Sequence, residues 1–324
     1  MRVAVIGAGL QGRRRAPVVR AAADDELVVI TAAHRESAER LASSLGCAWD
    51  VGWETTVSRP DIDALIVATP PNIHEAISVA ALSAGKHVLC EKPLARSSQE
   101  ATRMIHAAEA TGRVLWCGFN HRFHPAVQQL RAWVDGGEIG DPRIVRARYG
   151  IGGRPGYERE WRADPTIVSG GQLMEQGIHA VDLARWFLGE FTESVGMTSN
   201  AYWQTQPLED NAFVLLRTRD GRMASIHSSL TQWKNLFSFE VLGTAGIARA
   251  EGLGGSYGLE TASLHKLDFK APFAETSVEF RGEDPCWRNE WAAFQTAVKD
   301  GDLDSGRDGL AALHIVERAY ASER

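Results

Sequence analysis

The sequence contains few cysteines and no long apolar run, and both absences restrict what the protein can be. Cys47, Cys90, Cys117 and Cys286 are scattered, with no Cys-x-x-Cys pair and no histidine at metal-ligand spacing. We therefore expect reduced thiols and no metal site. No apolar stretch is long enough to span a bilayer, and the chain starts in a predicted strand rather than a charged leader. These patterns predict a cytoplasmic protein, neither exported nor inserted in a membrane.

Positively charged residues are also fewer than negatively charged ones. The chain has 35 Lys and Arg against 41 Asp and Glu, a formal net charge of −6. This balance argues against general affinity for nucleic acid or for an anionic membrane. The one compact basic run is Arg13, Arg14 and Arg15. It is either a solvated helix face or, because it follows Gly12, the source of a contact to a cofactor phosphate.

The first residues of the chain carry the clearest pattern. Residues 3–6 form a β-branched apolar run typical of a strand buried on both faces. Gly7, Gly9 and Gly12 then form Gly-x-Gly-x-x-Gly, and residues 10–23 can continue as a helix. The first glycine permits the turn, the second lets a pyrophosphate approach the helix N-terminus, and the third allows close packing. The alternative is an ordinary β-to-α turn, but the strand before and the helix after favour dinucleotide binding.

The end of the second predicted strand bears on the choice of cofactor. An NAD-binding chain usually carries Asp or Glu about twenty residues after the motif, to hold the ribose hydroxyls. Here Ala32 is followed by Ala33, His34 and Arg35. A 2′-phosphate would meet no acidic repulsion and would find a cationic partner, which favours NADP over NAD unless His34 and Arg35 merely begin the next helix. The cofactor contacts predicted at these two places are Gly7, Gly9, Leu10, Gln11, Gly12, Arg13, Ala32, His34 and Arg35.

The pattern of elements changes near residue 119. Before it, strand and helix patterns alternate, which is typical of a doubly wound parallel sheet. Beyond it, strand-like runs dominate, with one long helix predicted over residues 171–188. We predict an α/β Rossmann domain that binds a dinucleotide over residues 1–119. Residues 120–324 are predicted to form an α+β domain, for substrate binding and oligomerisation, with a large, mostly antiparallel open sheet.

Five further motifs occur in the order seen in a known family. They are Ala68-Thr69-Pro70-Pro71-Asn72-Ile73-His74, Cys90-Glu91-Lys92-Pro93-Leu94-Ala95, Asn120-His121-Arg122-Phe123, Trp161-Arg162 and the stretch from Gly170-Gly171 to Gly177-Ile178-His179-Ala180-Val181-Asp182. With the glycine motif, the chain resembles the Gfo/Idh/MocA family (glucose-fructose oxidoreductase, inositol dehydrogenase and rhizopine catabolism) along essentially its whole length. The resemblance implies a metal-free NAD(P)-dependent oxidoreductase acting on a sugar, cyclitol or related polyol, and a homodimer or homotetramer.

Two residues are the strongest catalytic candidates. Lys92 follows a parallel strand at the sheet edge where ligands bind, and an ammonium there can stabilise a carbonyl oxygen as it receives hydride. Glu175, His179 and Asp182 recur at i, i+4 and i+7, which predicts one shared helix face. Imidazole can exchange a proton near neutral pH, and a neighbouring carboxylate can fix its tautomer. The resemblance implies that Lys92 and His179 are catalytic, with Glu175 as a third catalytic residue.

The resemblance implies further contacts to both ligands. For His74, a structural role, in which a residue at the start of a helix bonds to the backbone, explains the position as well as a cofactor contact does. Two positions depart from the family: Glu175 replaces the commoner Asp, and Gln172 replaces the third Gly of its run. Asp182 ranks below Glu175, because capping or orienting the helix is enough to explain it. The implied cofactor contacts are Thr69, Pro70, Asn72, His74, Glu91, Lys92, Asn120 and Arg162, and the substrate contacts are Lys92, Tyr149, Trp161, Glu175, Gln176 and His179, with Trp203 as further lining.

Two other functions stay open. A few proteins of this type sense a dinucleotide and regulate a partner without catalysis, but such chains tend to lose the lysine or the histidine. A glycosidase of the same fold, which oxidises and re-reduces its sugar with a bound dinucleotide, fits the same residues.

Overall fold

The computed structural model describes residues 1–269 and 275–323, and it divides into two units. The first unit contains Met1–Phe119 and Trp287–Ala311. The second contains Asn120–Cys286 and the residues from Ala312 onward. Within the described residues, no helix is both long enough and apolar enough to cross a membrane.

The first unit is built on a six-stranded parallel sheet. Its strand order, β3-β2-β1-β4-β5-β6, reverses between β1 and β4, and ligands of open α/β sheets bind outside the carboxyl ends of the strands at such a point. The elements are β1 (Arg2–Ile6), α1 (Leu10–Ala21), β2 (Glu26–Ala32), α2 (Arg35–Leu45), β3 (Ala48–Val51), α3 (Trp53–Ser58), β4 (Ala64–Val67), α4 (His74–Ser83), β5 (His87–Glu91), α5 (Ser98–Thr111) and β6 (Leu115–Gly118).

The described strands of the second unit form an eight-stranded sheet in the order β14-β13-β12-β11-β7-β10-β9-β8. Among them β7 and β10 pair parallel and the other neighbours antiparallel. The elements that follow β6 along the chain are α6 (Pro125–Asp135), β7 (Pro142–Gly150), α7 (Ile178–Leu188), β8 (Phe191–Ser199), β9 (Asn211–Thr218), β10 (Met223–Ser229), β11 (Leu236–Gly243), β12 (Gly246–Glu251), β13 (Glu260–Lys266), β14 (Glu275–Phe280), α8 (Cys286–Asp300) and α9 (Arg307–Ala321). The predicted fold class is confirmed.

The burial of each strand explains whether its sequence shows an apolar pattern. All four residues of β4 and the last four of β1 are buried, so these strands read as continuous apolar runs. In contrast, most of β14 is exposed and β3 has only four residues, so neither carries a recognisable apolar pattern. The strands β3 and β12 to β14 and the short helix α3 were absent from the prediction.

The first unit also takes up a segment that the sequence analysis placed with the second domain. Most of α8 belongs to this unit. Trp291 and Phe294 join the apolar core formed by β1, β2, β4 and β5. The indole Nε1 of Trp291 also donates to Asp25 at 2.7 Å. An amphipathic helix far along the chain therefore completes the core of the dinucleotide-binding fold.

A buried ion cluster lies beneath the end of β5. Arg15 in α1 donates from Nε to Glu91 Oε1 at 2.6 Å and from Nη1 to Glu290 Oε2 at 2.8 Å. The three side chains are 3%, 5% and 0% exposed. Burial raises the pKa of Glu290, and the charge of Arg15 opposes that rise. Arg13 and Arg14 are exposed, so Arg15 is the member of the basic run that is structural.

Removing this guanidinium leaves two buried carboxylates without a counter-charge. We expect Arg15→Met to lower the free energy of unfolding by about 3–5 kcal/mol. Arg14→Met is the matched control, since Arg14 is exposed and only approaches the Trp287 ring at 5.5 Å, and its loss should stay below about 1 kcal/mol. Urea denaturation measures both, and equal losses in the two variants would contradict the structural role of Arg15.

Candidate active site

The loop between β1 and α1 is shaped for a pyrophosphate. Gly7 has φ +114°, and a Cβ there would lie 2.3 Å from the Ala68 carbonyl oxygen. A Cβ on Gly12 would lie 1.8 Å from the Gly7 carbonyl oxygen, whereas one on Gly9 would meet nothing within 4 Å. The first turn of α1 has no capping side chain and no acidic residue. The open side at Gly9 and the uncapped helix N-terminus therefore fit a dinucleotide phosphate.

Small and cationic side chains lie at the end of β2. The strand ends at Ala32, and Ala33 and His34 follow as exposed residues. Arg35 begins α2, with its guanidinium 4.8 Å from the Trp49 ring centroid and its Nε 3.4 Å from Glu39. Along the chain, the first carboxylate after the strand is that of Glu36, which is also exposed.

The other predicted cofactor contacts of the first unit differ in exposure. Leu10, Arg13 and Asn72 are exposed, and Gln11, Thr69 and Pro70 are half-buried. The hydroxyl of Thr69 is buried and has no hydrogen-bond partner in the described part of the chain. A bound cofactor can supply that partner.

Lys92 follows directly after β5 and is held from both sides. Its backbone N–H lies 3.3 Å from Oε2 of Glu91, the carboxylate that also pairs with Arg15. The ring of His74 spans two backbone carbonyls, with Nδ1 at 3.0 Å from Pro93 and Nε2 at 2.9 Å from Thr69. Burial lowers the pKa of His74, although these carbonyls oppose the shift. His74 therefore ties the segment after β4 to the segment after Lys92.

A buried carboxylate of the second unit anchors the segment that carries Glu175 and His179. Glu209 accepts from the N–H groups of Gly171 and Leu173, both at 2.9 Å, and from the Tyr320 hydroxyl at 2.7 Å. A Cβ on Gly171 would lie 2.0 Å from the Glu209 carbonyl oxygen, so this position requires glycine. Burial raises the pKa of Glu209, and the Tyr320 hydroxyl opposes that rise.

The predicted single helix over residues 171–188 is wrong in its first part. Leu173–Gly177 form a π-helical turn, and the α-helix α7 begins only at Ile178. The segment that carries Glu175 is therefore not regular α-helix, whereas His179 and Asp182 both lie within α7. Apolar periodicity gave no sign of this turn.

Both carboxylates of this segment are paired with arginines. Arg162 Nε donates to Glu175 Oε1 at 3.1 Å. Arg122 Nε donates to Asp182 Oδ2 at 2.8 Å, and Asp182 is buried. The Arg122 contact gives Asp182 a structural explanation, in line with its lower rank among the candidates.

Aromatic rings surround His179. Its imidazole stacks on that of His121, with ring centroids 3.8 Å apart and planes inclined by 21°. Tyr149 lies 5.1 Å from the His121 ring and 5.8 Å from the Tyr257 ring. His121 belongs to a motif of the family, but the sequence analysis assigned it no role. Tyr257 lies in a glycine-rich loop, and no sequence pattern there indicates a functional residue.

Arg162 lies among polar and aromatic side chains. The Arg162 guanidinium lies 4.2 Å from the Trp161 ring centroid. Tyr157, which the sequence analysis missed, is buried, and burial followed by the charge of Glu175 raises its pKa. Gln176 Oε1 is buried and has no hydrogen-bond partner within the described residues, so it can accept from a substrate hydroxyl.

Two predicted residues have other contacts. The Asn120 amide donates to Cys286 Sγ at 3.2 Å. Trp203 lies beyond the end of β8 at Ser199, and its Nε1 donates to the Leu230 carbonyl at 2.9 Å. Trp203 therefore supports a loop.

A glycine-rich phosphate loop on a parallel sheet, and a buried histidine on a unit built around an antiparallel sheet, are the parts of a nicotinamide-dependent oxidoreductase. The family profile described as "Oxidoreductase family, NAD-binding Rossmann fold" matches residues 1–119, and "GFO/IDH/MocA C-terminal domain" matches residues 127–249. The chain belongs to the Gfo/Idh/MocA family, as the motifs predicted. It is an NAD(P)-dependent oxidoreductase acting on CH–OH groups.

Relatives share most of its length. The chain is 28% identical over 339 residues to inositol 2-dehydrogenase of Rhizobium meliloti, covering 99% of this chain and 96% of the relative. It is 31% identical over 267 residues to 1,5-anhydro-D-fructose reductase of Ensifer adhaerens, covering 80% and 77%. A structure of levoglucosan dehydrogenase in complex with NADH matches with a TM-score of 0.86 at 26% identity, covering 99% of this chain and 97% of that one.

Proposed function

We propose that the chain interconverts a hydroxyl and a ketone on a sugar, cyclitol or related polyol, with NADP(H) preferred and with Lys92 and His179 as catalytic residues. The observation that carries the proposal is the anchoring of Lys92. It stands at the carboxyl end of β5, between the Arg15-bound carboxylate of Glu91 and the His74-bound carbonyl of Pro93. Such support on both sides is what a residue needs in order to hold a charge at a fixed point.

The bound nicotinamide supplies hydride acceptance and donation. In the oxidising direction His179 takes the proton from the reacting hydroxyl oxygen, and in the reducing direction it returns that proton to the same oxygen. The Lys92 ammonium donates a hydrogen bond to this oxygen and stabilises its negative charge. The rings of His121 and Tyr149 beside His179 limit access of water to the imidazole.

The remaining residues recognise the substrate. We assign the Arg162–Glu175 pair to the hydroxyls next to the reacting carbon, because the pair offers both donors and acceptors. Gln176 Oε1, Tyr149 and the ring of Trp161 complete this set. Polyols bind well to aromatic faces with polar neighbours, which is the combination that these residues present.

Removing either catalytic group should abolish turnover and leave dinucleotide binding largely intact. We expect Lys92→Ala and His179→Asn to lower kcat by at least about 100-fold, the usual scale of a positioned acid or base. Lys299→Ala is the matched control on an exposed lysine. Cofactor-linked absorbance with inositol, levoglucosan and 1,5-anhydro-D-fructose as trial substrates measures the rates. A folded Lys92→Ala protein that kept most of its turnover would contradict the catalytic role of Lys92.

The proposed cofactor preference follows from Ala32, His34 and Arg35. Calorimetric dissociation constants should be smaller for NADP(H) than for NAD(H). Arg35→Ala should weaken NADP(H) about tenfold, the size of one charge-assisted hydrogen bond, and leave NAD(H) unchanged. Ala32→Asp should reverse the preference by repelling the 2′-phosphate. Arg40→Ala, on the same helix, is the control, and tighter NAD(H) binding by the unaltered protein would overturn this part of the proposal.

We also propose that the chain assembles as a homodimer or homotetramer through the face of β8 and β9. Met197 pairs opposite Phe213, and Val195 opposite Leu215, so all four lie on one face of the sheet. All four are large, apolar and exposed, Met197 by 71%.

Light scattering tests this assembly. We expect a mass that is a multiple of 35.4 kDa, and a shift towards the single-chain mass in Met197→Asp, because a charge on the face opposes its burial. Leu267→Asp, at an exposed apolar residue of another strand edge, should not change the mass. A single-chain mass for the unaltered protein would refute the assembly.

A further inference from the structure

Four side chains with metal-binding atoms converge near the start of α6 in the second unit. His124 immediately precedes α6, Glu260 begins β13, and Asp284 and Cys286 lie at the start of α8. Ligand atoms of His124, Asp284 and Cys286 all lie within 4.8 Å of one another. None of these four residues was assigned to dinucleotide or substrate above.

Three distances between these side chains lie near those of a tetrahedral zinc site. His124 Nδ1 lies 3.4 Å from Glu260 Oε2 and 3.8 Å from Asp284 Oδ1, and Cys286 Sγ lies 3.2 Å from Asp284 Oδ2. Zinc binds nitrogen and oxygen at about 2.0–2.2 Å and sulfur at about 2.3 Å, which puts tetrahedral ligand atoms roughly 3.3–3.7 Å apart. The observed distances bracket this range before any metal has drawn the ligands together.

The donor set also selects the metal. One imidazole, one thiol and two carboxylates form a mixed N, S and O set that suits zinc, whereas magnesium and calcium prefer oxygen alone. His124, Glu260 and Cys286 are buried, and Asp284 is partly exposed, so an ion can enter at the Asp284 side.

Neighbouring groups already orient two of the ligands. The Asn120 amide donates to Cys286 Sγ at 3.2 Å. The backbone N–H of Ala126 donates to Glu260 Oε1 at 2.8 Å. That contact leaves Oε2 for the side on which His124 lies. Metal-binding residues depend on outer hydrogen bonds of this kind.

We propose that the second unit binds one zinc ion through His124, Glu260, Asp284 and Cys286. The ion ties together α6, β13 and the segment that begins α8, and it takes no part in hydride transfer. The expectation of no metal site rested on spacing along the sequence, whereas these ligands come from three separate segments.

Metal titration of the whole chain tests the proposal. After treatment with a chelator, calorimetry with Zn²⁺ and elemental analysis should show one tightly held ion per chain. Cys286→Ser and His124→Gln should weaken binding by about 100-fold or more, since loss of outer-shell partners alone already costs 10–100-fold. Cys47→Ser and His106→Gln make the same changes outside the cluster, and both should bind as the unaltered protein does.

Co²⁺ provides a second readout that needs no substitution. A thiolate-to-cobalt charge-transfer band and intense visible bands of tetrahedral geometry are expected in the unaltered protein. If a buried variant fails to fold, this spectrum and Asp284→Asn, a change at the partly exposed ligand, decide the question. No Zn²⁺ binding, binding that survives Cys286→Ser, or a cobalt spectrum without the thiolate band would overturn the proposal. Such a failure would leave the dehydrogenase proposal untouched, because turnover and dinucleotide binding are measured separately.

Discussion

The buried contact between Arg15 and two carboxylates is the interaction on which the first unit depends. Arg15 belongs to the helix that begins at the glycine loop, and Glu91 ends the strand that leads into Lys92. Glu290 brings in α8, whose aromatic residues complete the core. One desolvated guanidinium therefore links the helix after the glycine loop, the strand that leads into Lys92 and a segment from near the end of the chain. Its removal is costly because burial prevents water from replacing it.

The second unit also depends on a buried carboxylate, but here the partners are backbone N–H groups and a hydroxyl. Glu209 collects two backbone N–H groups and the Tyr320 hydroxyl, and in doing so it fixes the start of the π turn. The close approach explains why Gly171 has no room for a side chain. With Glu175 paired to Arg162 and His179 stacked on His121, the residues assigned to the substrate are pre-organised. In each unit, a buried carboxylate thus anchors a segment that carries a proposed catalytic residue.

How much the sequence could predict follows from the range of the interactions involved. The glycine spacing and the apolar runs of β1 and β4 are local, and they predicted the Rossmann half and the place of Lys92. The π turn breaks the α-helical periodicity on which helix prediction depends, so the predicted α-helix over residues 171–188 was wrong before Ile178. The contact of Tyr320 with Glu209 and the cluster around Cys286 join distant segments, and no local pattern announces them.

The proposed reaction is direct hydride exchange between a polyol carbon and a nicotinamide, assisted by Lys92 and His179. The most direct measurement follows deuterium from a labelled C–D bond of an accepted polyol, by mass spectrometry of the cofactor and the product. We expect the label to accumulate at nicotinamide C4 of the reduced cofactor, and we expect Lys92→Ala to suppress the transfer. Sugar turnover with no label left in the cofactor would contradict it and would indicate either transient oxidation with return of the hydride or chemistry without hydride transfer.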